Sequence, residues 1–114
     1  MLEEQPKMSN AVNTIIKKSF ASPDEVYNPK ETMRLEILGV GEGLKLQRNT
    51  AQPGYHGEDC PYDHTPYIVS GKFQVRMPGG DEIEFGPGDV GVIPAGHNLR
   101  VTSSEPTVWL EIKR

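Results

Sequence analysis

The chain has 114 residues, which is the length of one ordinary domain. Its 16 acidic residues outnumber its 12 basic ones, so the formal charge is −4 and the basic excess expected of a nucleic-acid or anionic-membrane binder is missing. The single cysteine, Cys60, excludes an intramolecular disulfide, and no apolar run is long enough to span a bilayer. We therefore expect a cytoplasmic protein without a membrane or nucleic-acid partner.

The first part of the chain differs in composition from the rest. All twelve glycines lie at or after Gly39, so turns punctuate only the later residues. We predict a partly ordered N-terminal arm at residues 1–31, frayed at 1–8, followed by a barrel domain at 32–114. Residues 9–18 fit either a helical turn or an edge strand, and their β-branched side chains slightly favour the strand.

From residue 32 onward the chain consists of short runs in which apolar and polar residues alternate. A period of two is typical of strands with one face in water and one in a core. The apolar positions of these runs are Leu35 and Ile37; Leu44 and Leu46; Phe73, Val75 and Met77; Ile83 and Phe85; Leu99 and Val101; Val108, Leu110 and Ile112. A hairpin is predicted at Pro78-Gly79-Gly80-Asp81. The pattern indicates an all-β sandwich or small barrel.

His97 is in phase with Leu99 and Val101, so it points into the barrel if they do. An interior histidine fits two interpretations. It is either a neutral imidazole hydrogen-bonded at the barrel mouth or a metal ligand.

The other two histidines lie close together in the chain. His56, Glu58 and Cys60 share one parity, so a strand there would place an imidazole, a carboxylate and a thiol on one face, and His64 opens the next apolar run. Two imidazoles and a carboxylate suit Fe(II), Mn, Ni or Zn, with positions left open for other ligands. The competing interpretation of Glu58 and its neighbour Asp59 is a solvated loop.

Two segments resemble the sequence motifs of the cupin superfamily. The first runs from His64 to Gly71, and the second is Gly86-Pro-Gly-Asp-Val-Gly-Val-Ile-Pro-Ala-Gly96. The resemblance covers about residues 32–113 and is strongest to small single-domain cupins of unassigned activity. It implies an antiparallel jelly-roll β-barrel of six to ten strands.

The chain departs from the usual cupin ligand pattern in three places. The His-x-His motif is represented by His56-Gly57-Glu58, and the position of the motif glutamate is occupied by His64. The position of the last histidine is Leu99, while His97 stands two residues earlier. The resemblance therefore implies a divalent-metal site made of His56, Glu58, His64 and His97.

Three residues are candidates for contact with a substrate. Arg48 is in phase with Leu44 and Leu46, so it either projects into the barrel to meet a carboxylate or extends its charge to water at a strand end. Cys60 is a buried structural thiol, a soft metal ligand or a reactive group. Leu99 occupies the position of a cupin ligand and would face the substrate.

These observations predict a cupin barrel that binds a divalent metal (Fe, Mn, Ni or Zn) and a small polar or anionic molecule. Such a protein would be a non-heme metal enzyme of the dioxygenase, isomerase or decarboxylase type. The alternative is a metal-free binding or sensor module without catalysis. We also predict a homodimer, because Trp109 is out of phase with Val108, Leu110 and Ile112 and would lie on an outer face.

Overall fold

The computed structural model describes residues 15–114 of the chain. These residues form nine strands and no helix, so they contain no helix that could cross a membrane. Residues 1–8 and most of the element predicted at 9–18 lie outside the described residues, and residues 15–18 are neither helix nor strand. The strands are β1 (Glu25–Lys30), β2 (Met33–Gly41), β3 (Leu44–Ala51), β4 (His56–Gly57), β5 (Tyr67–Ser70), β6 (Phe73–Arg76), β7 (Glu82–Phe85), β8 (Asn98–Val101) and β9 (Thr107–Lys113).

The strands form two antiparallel sheets. The first has five strands in the order β1-β2-β3-β9-β5, and the second has four in the order β4-β8-β6-β7. The all-β antiparallel architecture predicted from the alternating runs is confirmed. The predicted arm contributes β1, which pairs with β2 from Glu25 opposite Ile37 to Lys30 opposite Met33. Its division from the barrel at residue 32 stays a prediction.

The predicted hairpin joins β6 to β7 and is confirmed. The Gly80 amide donates to the Met77 carbonyl over 2.9 Å, and Gly79 has a φ of 69°. A side chain disfavours this left-handed conformation, which explains why glycine follows Pro78.

The core lies between the two sheets. In strands β6 and β8 the predicted inward residues are confirmed, since Phe73, Val75, Leu99 and Val101 are all buried, whereas Ile83 of β7 is 58% exposed. The other buried apolar residues are Met33, Leu38, Ala51, Ile68, Ile93 and Trp109. Most of the core is therefore one contiguous apolar cluster.

In β3 and β9 the predicted facing was wrong. Trp109 is 3% exposed and Ile112 is 65% exposed, so the inner face of β9 carries Thr107, Trp109 and Glu111. The alternation is real, but both faces of this sheet carry apolar side chains, and the inner face also holds buried polar groups. Period two alone cannot distinguish the faces of such a strand. The expectation that Trp109 would help to form a dimer surface is overturned with it.

Candidate metal centre

Three potential metal ligands meet beside a cavity of about 280 Å³ between the two sheets. They are Cys60, His64 and His97, whose ligand atoms all lie within 4.8 Å of one another. All three line the cavity. Cys60 and His64 come from the connection between β4 and β5, and His97 immediately precedes β8.

Backbone hydrogen bonds hold these two segments side by side. The Cys60 amide donates to the His97 carbonyl over 3.1 Å, and the Gly96 amide donates to the Cys60 carbonyl over 2.6 Å. His64 and Ile93 exchange both of their backbone hydrogen bonds, at 2.8 and 2.7 Å. The relative positions of the three side chains are thus fixed by a short antiparallel pairing outside the regular strands.

Glu111, on the inner face of β9, orients His64. Its carboxylate oxygens lie 3.0 and 3.1 Å from His64 Nδ1. A carboxylate only accepts, so Nδ1 carries the proton and donates it. The Nε2 atom of a neutral His64 therefore keeps its lone pair, and it lies 3.4 Å from Cys60 Sγ.

A buried network surrounds the Glu111 carboxylate. It accepts hydrogen bonds from Trp109 Nε1 at 2.8 Å and Asn49 Nδ2 at 3.0 Å, and Lys113 Nζ lies 3.1 Å away. Burial raises the pKa of Glu111, but the hydrogen bond from His64, with the Trp109 donor and the Lys113 charge, outweighs it and holds the pKa at about 2. The carboxylate is therefore ionised at neutral pH and can fix the imidazole.

The Nδ1 atom of His97 is also held by a hydrogen-bond acceptor. Its Nδ1 lies 2.7 Å from the Pro94 carbonyl oxygen, which only accepts, so this nitrogen carries the proton. Burial is the main cause of a lowered His97 pKa, which favours the neutral imidazole. The two rings meet edge to face with centroids 5.1 Å apart. In both neutral histidines the Nε2 atom thus keeps its lone pair.

The spacing of one pair of donor atoms fits a metal. Tetrahedral zinc with bonds of about 2.3 Å to sulfur and 2.0 Å to nitrogen places these two atoms about 3.5 Å apart. The separation of Cys60 Sγ and His64 Nε2 is 3.4 Å. One thiolate and two imidazoles, with each imidazole held by a second hydrogen bond, are a donor set that suits zinc.

The structure brings together only two of the four residues that the sequence predicts as ligands. His64 and His97 belong to the cluster, whereas the exposed His56 and Glu58 line an outer groove with Gln74 and Arg100. Strand β4 ends at Gly57, and the next residues adopt irregular backbone with a φ of 49° at Asp59. The alternation that would have linked His56 to Cys60 is thereby broken.

Only two of the three residues predicted to contact a substrate line the cavity. Cys60 and Leu99 line the cavity. Arg48 lies on the opposite face of its sheet, where it pairs with Glu36 at 2.8 Å and stacks on the Phe20 ring at 4.6 Å. Its neighbours Gln47 and Asn49 face the cavity instead.

Sequence reasoning missed Glu111 as part of the site. In the sequence it is one of several charged residues near the chain end, 47 positions from His64. The available signal was its parity with Trp109, a large aromatic residue that would be expected in a core. Taking Trp109 as the inward residue would have placed Glu111 inside as well.

The profile of the EutQ-like cupin domain matches residues 49–109. The chain belongs to the EutQ-like cupin family. The matched segment contains all three members of the cluster, and the jelly-roll prediction is confirmed. No curated protein matches the chain at a significant level.

Solved cupin structures share this fold. The oxalate decarboxylase of Lactobacillus farciminis, in a formate complex, is 26% identical with a TM-score of 0.62; the match covers 77% of this cupin but only 30% of that enzyme. The ectoine synthase of P. lautus has a TM-score of 0.71 at 16% identity, covering 86% of this chain and 76% of that one. The polyketide cyclase RemF of Streptomyces resistomycificus has a TM-score of 0.68 at 15% identity, covering 87% and 78%. The last two show the fold alone.

Proposed function

We propose that this cupin binds one divalent metal ion through Cys60, His64 and His97 and holds a small molecule in the adjoining cavity. The observation that carries the proposal is the convergence of the three ligand atoms within 4.8 Å. Support comes from the Nδ1 contacts of both histidines, which leave each Nε2 available. The thiolate favours zinc among the four predicted metals, since manganese prefers oxygen ligands.

An enzymatic role is the form of this function that we favour. A metal bound there would supply a Lewis acid able to polarise a carbonyl or carboxylate group. Glu111 would keep His64 oriented, and the Pro94 carbonyl would do the same for His97. The similarity to oxalate decarboxylase supports a decarboxylase among the predicted classes, with dioxygenase and isomerase as the others.

A metal-free binding or sensor module is the second candidate. The observation that favours it is the 3.4 Å approach of Cys60 Sγ to His64 Nε2. A thiol can donate to that nitrogen, so the cluster is also satisfied without an ion. A cytoplasmic location and a homodimeric state stay predictions under either function.

Metal titration with matched variants tests the proposal. Purified protein without an affinity tag should bind one equivalent of Zn(II) in competition with a chromophoric chelator. Cys60→Ser, His64→Ala and His97→Ala should each lose stoichiometric binding while keeping the β-sheet circular dichroism spectrum. The control variants His56→Ala and Glu58→Gln should bind as the parent does, because both residues line the outer groove.

The outcomes separate the two ligand sets. If His56→Ala and Glu58→Gln lose the metal while Cys60→Ser keeps it, the set implied by the cupin resemblance holds and our assignment fails. If the parent binds no Zn(II), Fe(II), Mn(II) or Ni(II), the metal-free module is the better description.

A further inference from the structure

The cavity beside the cluster has mainly apolar walls. Aromatic and aliphatic side chains from both sheets line it, including Met33, Leu35, Tyr55, Phe73, Ile93 and Trp109. Among the described residues that line it, none is a lysine or an arginine. Arg48, which the sequence suggested for a carboxylate, is engaged with Glu36 on the other face of its sheet. The walls therefore hold no strong anion-binding side chain of the kind a small dianion needs.

Besides two tyrosine hydroxyls and the metal-ligand cluster, the walls carry two polar side chains, and these are engaged with their neighbours. Gln47 donates to Asn49 over 2.7 Å, and Asn49 donates to Glu111 over 3.0 Å. The ionised Glu111 carboxylate lies directly behind His64 and makes an anionic ligand less favourable. Its nearby cation, Lys113, is already 3.1 Å from that carboxylate. The cluster itself is thus the main polar feature to which a ligand could turn.

We infer that the cavity takes a compact, uncharged, predominantly apolar molecule that turns a single donor group toward Cys60, His64 and His97. This inference rests on the proposed metal-binding function and names the class of ligand for it. The volume of about 280 Å³ lies at the lower end of ligand cavities, which suits about one ring with a short substituent. The molecule differs in kind from the polar or anionic ligand expected from the sequence.

Trp109 provides the readout. It is the only tryptophan of the chain, and it lines the cavity. Intrinsic fluorescence of the Zn(II)-loaded protein should therefore report ligand entry without any assay of activity. The probes are benzamide, acetamide and oxalate, which all offer oxygen donors to a metal and differ in apolar surface and charge. Benzamide should bind at least about tenfold more tightly than either of the others.

A matched pair of variants locates the binding. Leu35→Phe enlarges a side chain in the cavity wall and so reduces the cavity volume. It should remove most of the preference for the aromatic probe. Leu46→Phe makes the same change on the outer face of the sheet, in strand β3, and this variant should keep the preference for the aromatic probe. Metal stoichiometry is measured for both variants, so a lost preference is not confused with lost metal.

Failure of this inference differs from failure of the proposed function. Oxalate or acetamide binding as tightly as benzamide to protein with one bound Zn(II) overturns the ligand class and leaves the metal site standing. Equal affinities in Leu35→Phe and the parent overturn the location. Failure to bind any of Zn(II), Fe(II), Mn(II) and Ni(II) defeats the proposed function, and the ligand inference with it.

Discussion

Glu111 is the residue whose environment is most demanding. Its buried carboxylate serves His64, Trp109 and Asn49 at once. Each of these donors would otherwise be left without an acceptor in the interior, which costs about 1–3 kcal/mol per group. The residue therefore links the stability of the fold to the orientation of a proposed ligand.

Glu111→Gln is expected to weaken both properties. The amide removes the negative charge and places N–H donors against donors, so the free energy of unfolding should fall by about 1–3 kcal/mol. Zn(II) affinity should fall about 10–100-fold, as for other groups that hold a metal-binding histidine. Urea unfolding and chelator competition measure the two effects. Glu58→Gln, on an exposed residue, is the control, and equal behaviour of the two variants would contradict the role given to Glu111.

The ionisation of Tyr55 predicts how the stability of the fold depends on pH. Burial, with a smaller contribution from the charge of Cys60, raises the pKa of Tyr55 above its usual value of about 10. Since the folded value exceeds the unfolded one, the contribution of Tyr55 to stability is complete below the unfolded pKa. It is lost as the pH rises through the folded pKa.

Near-ultraviolet absorbance during an alkaline titration measures this shift. The Tyr27→Phe background removes a second tyrosine whose pKa is raised, in that case by its hydrogen bond to Glu25. In this background one late-ionising tyrosine should remain, and Tyr55→Phe should abolish it. A late step that survives in the double variant would show that Tyr55 is not its source.

At the scale of elements, the turn between β5 and β6 depends on close packing as well as on backbone conformation. Gly71 has a φ of 77°, and an added Cβ would lie 2.5 Å from Thr107 Cα and 2.7 Å from the Pro106 carbonyl oxygen. Gly79 has a similar φ of 69° but has nothing within 4 Å of that position. Substituting the two glycines therefore distinguishes the free-energy cost of a left-handed backbone from the added cost of a steric clash.

Gly71→Ala should lower the free energy of unfolding by about 2–5 kcal/mol, because a steric clash adds to the left-handed strain. Gly79→Ala should lower it by only about 1–2 kcal/mol, which is the conformational cost alone. Chemical denaturation measures both. Similar losses in the two variants would mean that the backbone around Thr107 moves aside freely.

The elements also show how far the sequence could lead. Turn residues and alternation predicted most of the strands after residue 32 and the β6–β7 hairpin, since these depend on neighbours in the chain, but they did not predict β1. In β8 the apolar and polar sides differ clearly, and Leu99 and Val101 were placed inward correctly. In β9 the more apolar side, with Val108, Leu110 and Ile112, faces away from the core, and the inward side was decided by a distant partner. Asn49 and His64, not the neighbours of Glu111 in the chain, make its burial possible.

The candidate site was predicted only in part for the same reason. The inward direction of His97 followed from local phase. Cys60 belongs to the cluster and His56 does not, because the backbone after Gly57 is irregular and side chains there no longer alternate between two faces. Alternation could not predict either position. Cupin motifs indicated the region of the metal site but could not specify a changed set of ligands.

At the scale of the whole molecule, the predicted homodimer now depends on apolar side chains of the five-stranded sheet. Tyr67 and Ile112, on strands β5 and β9, are 47% and 65% exposed. Ile112→Glu should therefore shift the protein toward monomer in sedimentation at tens of micromolar. Ile83→Glu, at a comparably exposed position on the other sheet, should leave the mass unchanged. A monomeric parent protein would refute the homodimer.

Strand β9 lies between β3 and β5 in its sheet although it follows β3 by more than 50 residues. Closing such a long loop is entropically costly, so pairings of this kind form slowly during folding. When β9 pairs with β3 and β5, Glu111 comes into contact with His64. The same step places Trp109 in the wall of the cavity. During refolding, the proposed metal should therefore be captured tightly only at the step in which this sheet closes. Tryptophan burial and metal uptake would then follow the same late time course.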